Sequence, residues 1–301
     1  MALKTFSKII PDYKNRKEII KYLKNTYTNL NHGTISNSLC NRTIDYIQIG
    51  NPKKQVLLAG AFHGMEWLTS LLLLRFTEDI CDSVKNKKTI SQVHIERFLD
   101  KRGVIIIPCV NPDGVEISLY GSDYACEYKE LVDKVSNNDT SRWQANARGV
   151  DLNHNFDADW QRLHNLEISQ GITGPSMTRY GGEYPESEPE SSAITRLCKY
   201  SYIDHAIAFH SQGEEIYWDF GKHTPKQSKN MANIMSMSSG YKVSSPEGLA
   251  IGGGFKDWFI NEFSRPAFTV EIGKGTNPLP LSDIDDIYKK IHEMLVLSII
   301  M

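Results

Sequence analysis

Three residues that could bind a metal ion, His63, Glu66 and His210, follow short apolar runs that are typical of buried strands. Two imidazoles and one carboxylate form a three-ligand zinc set, which leaves a fourth coordination position open for water. Proteins hold catalytic zinc in this way, whereas structural zinc has four protein ligands. The residue types therefore predict a zinc-dependent hydrolase with one Zn²⁺ ion per chain.

The spacing of His63 and Glu66 is weak evidence by itself, because His164 and Glu167 repeat it. The segment VLLAGAF leads into the first copy and predicts a strand that fixes its position, whereas the second copy lies in a polar stretch. Gly64 permits a sharp turn that would let both side chains of the first copy face one ion. We therefore expect the first copy to bind metal and the second to lie on the surface.

Glu271 is a carboxylate inside the apolar segment FTVEI. Burying a carboxylate is costly unless it has a partner or a function. The chain lacks the HExxH motif, in which one helix carries two zinc ligands and the general base, so the base must come from elsewhere. We predict that Glu271 is this catalytic base, and a buried salt bridge is the competing interpretation.

Apolar runs alternate along the chain with segments of helical spacing. Strands are predicted at 43–49, 56–62, 103–110, 205–209 and 267–272, and helices at 14–30, 67–80 and 187–200. Residues 111–114 have a turn composition, and Ser187 with Glu190 matches a capping box. The pattern predicts an α/β fold, a three-layer α/β/α sandwich around a mixed, largely parallel sheet. We expect one catalytic domain over residues 1–301, with its site at the carboxyl ends of the strands.

Five segments resemble, in order, the landmarks of the zinc metallocarboxypeptidases related to carboxypeptidase A: AFHGMEW, VNPDG, GVDLNHNFDADW, AFHSQG and FTVEIG. The resemblance extends over residues 43–273. It implies an eight-stranded mixed sheet, zinc bound by His63, Glu66 and His210, and catalysis by Glu271.

One difference from the family pattern concerns the substrate. Carboxypeptidases usually have an arginine at the position of His154, where its guanidinium grips the terminal carboxylate of the substrate through two hydrogen bonds. The segment DLNHNF, with Asn153 and His154 as substrate-binding residues, instead resembles the bacterial branch that cleaves γ-D-glutamyl-diamino-acid bonds. The resemblance therefore implies a peptidase of peptidoglycan stem peptides, acting at the bond before meso-diaminopimelate.

Other substrate-binding positions also differ. The oxyanion arginine of the family follows a tryptophan, but Gln144 stands there in this chain, so Arg142 or Arg148 could supply the charge. A gapless register places Leu249 at the position of a mobile tyrosine. The same register places Lys256 at the floor of the specificity pocket, where a cation would favour an acidic or zwitterionic side chain. A solvated lysine is the alternative interpretation.

Composition limits the partners. The net charge is −2 and no long Lys/Arg block is present, so we expect a peptide substrate and neither a nucleic-acid nor a membrane partner. The first twenty residues lack the apolar stretch of a secretory signal, and five scattered cysteines suit reduced thiols, so we expect a cytoplasmic location. The sequence leaves the oligomeric state open.

Two other functions compete with the one that the resemblance implies. The first is a general metallocarboxypeptidase that releases carboxy-terminal amino acids. The second is a non-catalytic module that binds peptides on a peptidase scaffold. The presence of all three expected ligands and of Glu271 argues against the second.

Overall fold

The computed structural model describes residues 9–301, and eight strands in this range form one mixed sheet. The strands are β1 (Leu30–Asn37), β2 (Thr43–Gly50), β3 (Gln55–Gly60), β4 (Gly103–Ile107), β5 (Ile203–Ser211), β6 (Glu215–Tyr217), β7 (Lys242–Ser244) and β8 (Ala267–Ile272). Their order is β1-β2-β4-β3-β5-β8-β6-β7. The pairs β3/β4, β3/β5, β5/β8 and β6/β7 are parallel, and the other three pairs are antiparallel.

Ten α-helices lie within the described range: α1 (Tyr13–Thr26), α2 (Leu68–Asn86), α3 (Glu96–Leu99), α4 (Pro112–Tyr120), α5 (Lys129–Ser136), α6 (Trp160–Ser169), α7 (Pro189–Tyr200), α8 (Gln227–Ser239), α9 (Phe255–Phe263) and α10 (Ile284–Ile300). Short 3₁₀ turns include Gly64–Glu66 and Leu152–His154. No helix between residues 9 and 301 is long and apolar enough to cross a lipid bilayer.

The central strands supply side chains to two apolar cores, because successive residues of a strand point to opposite faces. Val56 and Leu58 of β3 belong to a core that also contains residues of α1, α2, α8 and α10. Leu57 and Ala59 belong to a second core, with residues of α7 and α9. The sheet therefore lies between two helical layers, and the predicted α/β/α arrangement is confirmed.

Parallel strands bring their carboxyl ends to one edge of the sheet. His63 follows β3, His210 lies near the end of β5, and Glu271 lies near the end of β8. The register between β5 and β8 places His210 directly beside Glu271. The candidate site is therefore assembled at the edge where α/β sheets usually bind ligands.

Two sequence predictions near this edge were wrong. Residues 111–114 begin α4 instead of forming a free turn, because the side chain of Asn111 accepts a hydrogen bond of 2.8 Å from the Gly114 amide and caps the helix. Ser187 does not cap α7. The N-cap position of the helix is Glu188, and the Ser187 hydroxyl instead accepts a hydrogen bond from Asn155 and donates one to Glu188.

Candidate active site

The side chains of His63, Glu66 and His210 converge on one point. The Nδ1 atom of His63 lies 2.8 Å from Oε1 of Glu66, and Nδ1 of His210 lies 3.0 Å from Oε2 of Glu66. The two Nδ1 atoms are 3.3 Å apart, and one ligand atom from each residue lies within 4.8 Å of the others. Two nitrogens and a carboxylate at this separation fit a zinc ion that keeps an open coordination position.

The 3₁₀ turn at Gly64–Glu66 sets the direction of two of these side chains. The Gly64 amide donates a hydrogen bond of 2.9 Å to the carbonyl of Gln144. A Cβ atom on Gly64 would lie 2.2 Å from the carbonyl oxygen of Gly114. The predicted sharp turn is present as this 3₁₀ turn, but Gly64 does not have a positive φ. Glycine is required here by the close approach of two backbones and not by the turn itself.

Asp151 orients His63 and was missed by the sequence analysis. Its Oδ1 atom lies 3.1 Å from Nε2 of His63, and only 2% of the residue is exposed. Burial alone would raise the pKa of Asp151, but the charges of His63 and His154 hold that pKa well below its usual range. The ionised carboxylate accepts the Nε2 proton of His63 and leaves Nδ1 free to act as a ligand. From this segment the sequence patterns had selected only Asn153 and His154.

Charge is concentrated where a cation would sit. Burial disfavours the ionised form of Glu66, but His63 and His210 outweigh it and lower the pKa of Glu66 to about 2. Burial would lower the pKa of His63, but Glu66 and Asp151 raise it well above its ordinary value. Without a metal, a proton on His63 neutralises part of the negative charge, and a divalent cation would displace that proton.

Glu271 lies beside this cluster on β8. Burial and the nearby Glu66 carboxylate raise the pKa of Glu271 well above its ordinary value. Within residues 9–301 the carboxylate of Glu271 forms no salt bridge and no hydrogen bond, so the competing interpretation as a buried ion pair was wrong. This carboxylate is half-buried on the cavity wall, so it can exchange a proton with a substrate or with water.

A cavity of about 470 Å³ opens over these groups. Its wall includes two of the three metal-facing residues, Glu271, and most of the substrate-binding residues that the sequence predicted. The polar and charged residues of the wall include His63, His210, Glu271, Asn153, His154, Gln144, Lys256 and Arg179.

His154 is held in the cavity wall by a carboxylate that we expected on the surface. Its Nδ1 atom lies 2.7 Å from Oε1 of Glu167. Glu167, on α6, is fully buried, and its Oε2 accepts a hydrogen bond from the Gly181 amide. The polar stretch around His164 is therefore a helix with one buried side, which the sequence pattern did not reveal.

Lys256 is buried in the wall, so the alternative of a solvated lysine was wrong. Its Nζ atom donates a hydrogen bond of 2.6 Å to the carbonyl of Asp219 and forms an ion pair with Asp257. Asn153 also lies on the wall, where its Oδ1 accepts a hydrogen bond from the Phe255 amide. Both residues are thus positioned by α9 and the loops before it.

Of the three residues considered for the oxyanion position, the structure brings one to the cavity. Gln144 lies on the wall, where its side-chain oxygen accepts a hydrogen bond from the hydroxyl of Thr178. Arg148 forms hydrogen bonds of 3.0 Å to both carboxylate oxygens of Glu188 and lines a separate hollow. Arg142 is exposed and does not line the cavity. Leu249, at the expected tyrosine position, does line it.

Known proteins of one family are similar to this chain. A model of the zinc carboxypeptidase family matches residues 17–293. The gamma-D-glutamyl-L-diamino acid endopeptidase 1 of Lysinibacillus sphaericus is 36% identical over 282 residues, which are 93% of this chain and 69% of that protein. The uncharacterized protein YqgT of Bacillus subtilis is 31% identical over 292 residues, 96% of this chain and 76% of that protein.

A solved structure also shares the fold. The crystal structure of thrombin activatable fibrinolysis inhibitor superposes with a TM-score of 0.74 and 18% sequence identity, covering 98% of this chain and 74% of that chain. At this level of identity the likeness concerns the fold alone.

Proposed function

Because the chain belongs to the zinc carboxypeptidase family and is a zinc metallopeptidase, we propose that it cleaves peptidoglycan stem peptides between γ-D-glutamate and a diamino acid such as meso-diaminopimelate. The observation that carries the catalytic part is the cluster of His63, Glu66 and His210 beside an unpaired Glu271. The bond is inferred from the similarity to the endopeptidase of Lysinibacillus sphaericus.

We assign one zinc ion to His63 Nδ1, His210 Nδ1 and the carboxylate of Glu66. The donor types and their convergence support this assignment. When bound, zinc supplies a Lewis acid that makes water a nucleophile near neutral pH. Asp151 keeps the Nδ1 atom of His63 directed at the ion.

Glu271 acts as the general base and then as the general acid. Its carboxylate takes a proton from the attacking water and afterwards gives that proton to the departing amine of the diamino acid. Burial raises the pKa of Glu271. Its proton affinity therefore lies closer to those of the attacking water and the departing amine, with which it exchanges the proton.

His154, Asn153 and Lys256 are assigned to the leaving diamino acid. A diamino acid such as meso-diaminopimelate carries carboxylates and a distal amine, so its recognition needs both donors and acceptors. His154 offers one ring nitrogen while Glu167 holds the other, and Lys256 offers a cation on the wall beside the buried Asp257. A cation and an imidazole on the wall support a ligand rich in carboxylates better than a simple apolar carboxy-terminal residue.

A substrate panel tests the proposed bond. The zinc-loaded protein is incubated with γ-D-glutamyl-meso-diaminopimelate peptides and, in parallel, with blocked α-linked dipeptides, and kcat/KM is measured for each. We expect faster hydrolysis of the γ-linked peptides. Faster hydrolysis of the dipeptides would make the chain a general metallocarboxypeptidase, and zinc binding without hydrolysis of either would favour a non-catalytic peptide-binding module.

The substitution Glu271→Gln tests the catalytic assignment. We expect kcat to fall roughly 10²- to 10⁴-fold, because an amide cannot take the proton from water. The zinc content, measured by elemental analysis, should stay at the level of the unsubstituted protein, because Glu271 is not assigned as a ligand. Retention of most of the activity would refute the role of Glu271.

A further inference from the structure

Arg179 is a cation of the cavity wall to which neither the motifs nor the family resemblance gave a role. The residue is exposed, and among residues 9–301 its guanidinium has no hydrogen-bond or ion-pair partner. The other basic side chains of the wall each contact a carboxylate of the protein: His63, His154, His210 and Lys256. Arg179 therefore has its hydrogen-bonding capacity available for a ligand.

The backbone of Arg179 is fixed to the groups that build the metal cluster. Its amide donates a hydrogen bond of 2.8 Å to Oδ2 of Asp151, whose Oδ1 lies 3.1 Å from His63. The preceding Thr178 donates its hydroxyl to Gln144, whose carbonyl binds the Gly64 amide. Arg179 also has a φ of 69°, a conformation that residues other than glycine seldom adopt.

This anchoring assigns Arg179 to one side of the scissile bond. His154 and Lys256 are held by Glu167 and Asp257, and we have assigned them to the leaving diamino acid. Asp151 binds the backbone amides of both His154 and Arg179, so it does not separate them. Only Arg179 adjoins Thr178, whose hydroxyl donates to Gln144 at the expected oxyanion position. The position of Arg179 next to the metal-binding turn suits contact with the acyl portion of a substrate.

We propose that Arg179 binds the free α-carboxylate of the γ-D-glutamyl residue, an inference that rests on the proposed function. A γ-linked glutamate is joined through its side-chain carboxyl group, so its α-carboxylate stays ionised a few bonds from the scissile carbonyl. An α-linked peptide has only neutral amide groups along its backbone there. A guanidinium matches a carboxylate through two parallel hydrogen bonds, so Arg179 distinguishes the γ-linkage by charge and geometry.

Two substrates that differ only in this group test the assignment. The first is N-acetyl-γ-D-glutamyl-meso-diaminopimelate, and the second carries a carboxamide in place of the glutamyl α-carboxylate. We expect the unsubstituted protein to favour the acid in kcat/KM by roughly 10- to 100-fold, as for a charge-assisted hydrogen-bonded pair. Arg179→Gln should remove this preference by slowing hydrolysis of the acid alone.

Two further variants sharpen the comparison. Arg179→Lys keeps the charge but loses the paired donors, so it should restore part of the preference. Arg142→Gln removes the same charge from an exposed arginine that does not line the cavity, so it should leave the preference unchanged.

Calorimetry on the zinc-free proteins with N-acetyl-D-glutamate and N-acetyl-D-isoglutamine gives a readout independent of turnover. Arg179→Gln should weaken binding of the former only.

Several outcomes would overturn the assignment. An unchanged preference in Arg179→Gln, or no preference in the unsubstituted protein, excludes recognition of the α-carboxylate by Arg179. Equal slowing of both substrates also excludes it and points to a role at the reacting carbonyl oxygen. These results leave the proposed function intact, whereas failure of the unsubstituted zinc protein to cleave either peptide overturns both.

Discussion

Asp151 decides which nitrogen of His63 faces the metal cluster, although it is not one of the three converging residues. Residue types and spacing were sufficient to select His63, Glu66, His210 and Glu271 from the sequence. They were insufficient for Asp151, because its contact with His63 joins residues 88 positions apart. The contact exists only after β3 and the segment after residue 150 meet, so no local pattern reveals it.

The substitution Asp151→Asn tests this contact at the scale of one residue. An amide can present its NH₂ group to Nε2 of His63 and favour the wrong tautomer, so we expect zinc affinity to fall roughly 10- to 100-fold. Competition with a chromophoric chelator measures the affinity. The matched variant Asp157→Asn changes an exposed aspartate of the same segment and should have no effect. Equal affinities in the two variants would contradict the proposed orienting role.

At the scale of elements, burial determined what could be predicted. The strands β2, β3, β4, β5 and β8 are rich in buried apolar residues and were found from the sequence. The edge strand β1 was missed, because none of its residues is fully buried and its first residue, Leu30, was assigned to the preceding helix. The strands β6 and β7 have three residues each, too few for a periodic pattern.

The turn at Gly64–Glu66 gives a prediction at this scale. Gly64→Ala would place a Cβ atom 2.2 Å from the Gly114 carbonyl oxygen, and because that neighbour is backbone it cannot rotate away. We expect the free energy of unfolding to fall by about 2 to 4 kcal/mol, together with weaker zinc binding. Chemical denaturation measures the first effect. Gly174→Ala is the control, because its Cβ would meet nothing within 4 Å, and a similar loss there would contradict the steric explanation.

At the scale of the whole molecule, the alternation of apolar strands and helices predicted the layered α/β fold, but not that the helix residue Glu190 is buried within it. Glu190 is fully buried, and its Oε1 atom has no hydrogen-bond partner among the described residues. Burial, with the nearby charge of Asp113, raises the pKa of Glu190 to about 8. The sequence pattern had assigned Glu190 to a capping box, and such a local motif carries no information on burial.

The stability of the fold should therefore depend on pH through Glu190. Its pKa is higher in the folded state, so its favourable contribution is complete below its ordinary pKa of 4.5 and is lost as the pH rises to about 8. Between these two pH values the unfolding free energy should fall less in Glu190→Gln than in the unsubstituted protein. The difference should be a few kcal/mol, because each pKa unit corresponds to about 1.4 kcal/mol. Denaturant titrations at several pH values measure the unfolding free energy. The exposed Glu293→Gln should keep the decline, and an unchanged profile in Glu190→Gln would exclude this source.

The parallel pairing of β5 and β8 has a consequence for how specificity can change. His210 and Glu271 are register neighbours, so their separation follows the interstrand repeat of about 4.8 Å and not the length of any connecting segment. A shift of one residue in the β5/β8 register would turn Glu271 and the apolar residues of β8 to the opposite faces of the sheet. The apolar layers on both sides disfavour such a shift, so they maintain the spacing between His210 and Glu271. Surface segments that border the cavity can consequently lengthen, shorten or exchange residues and redirect the enzyme to new peptides while its proton-transfer geometry stays constant.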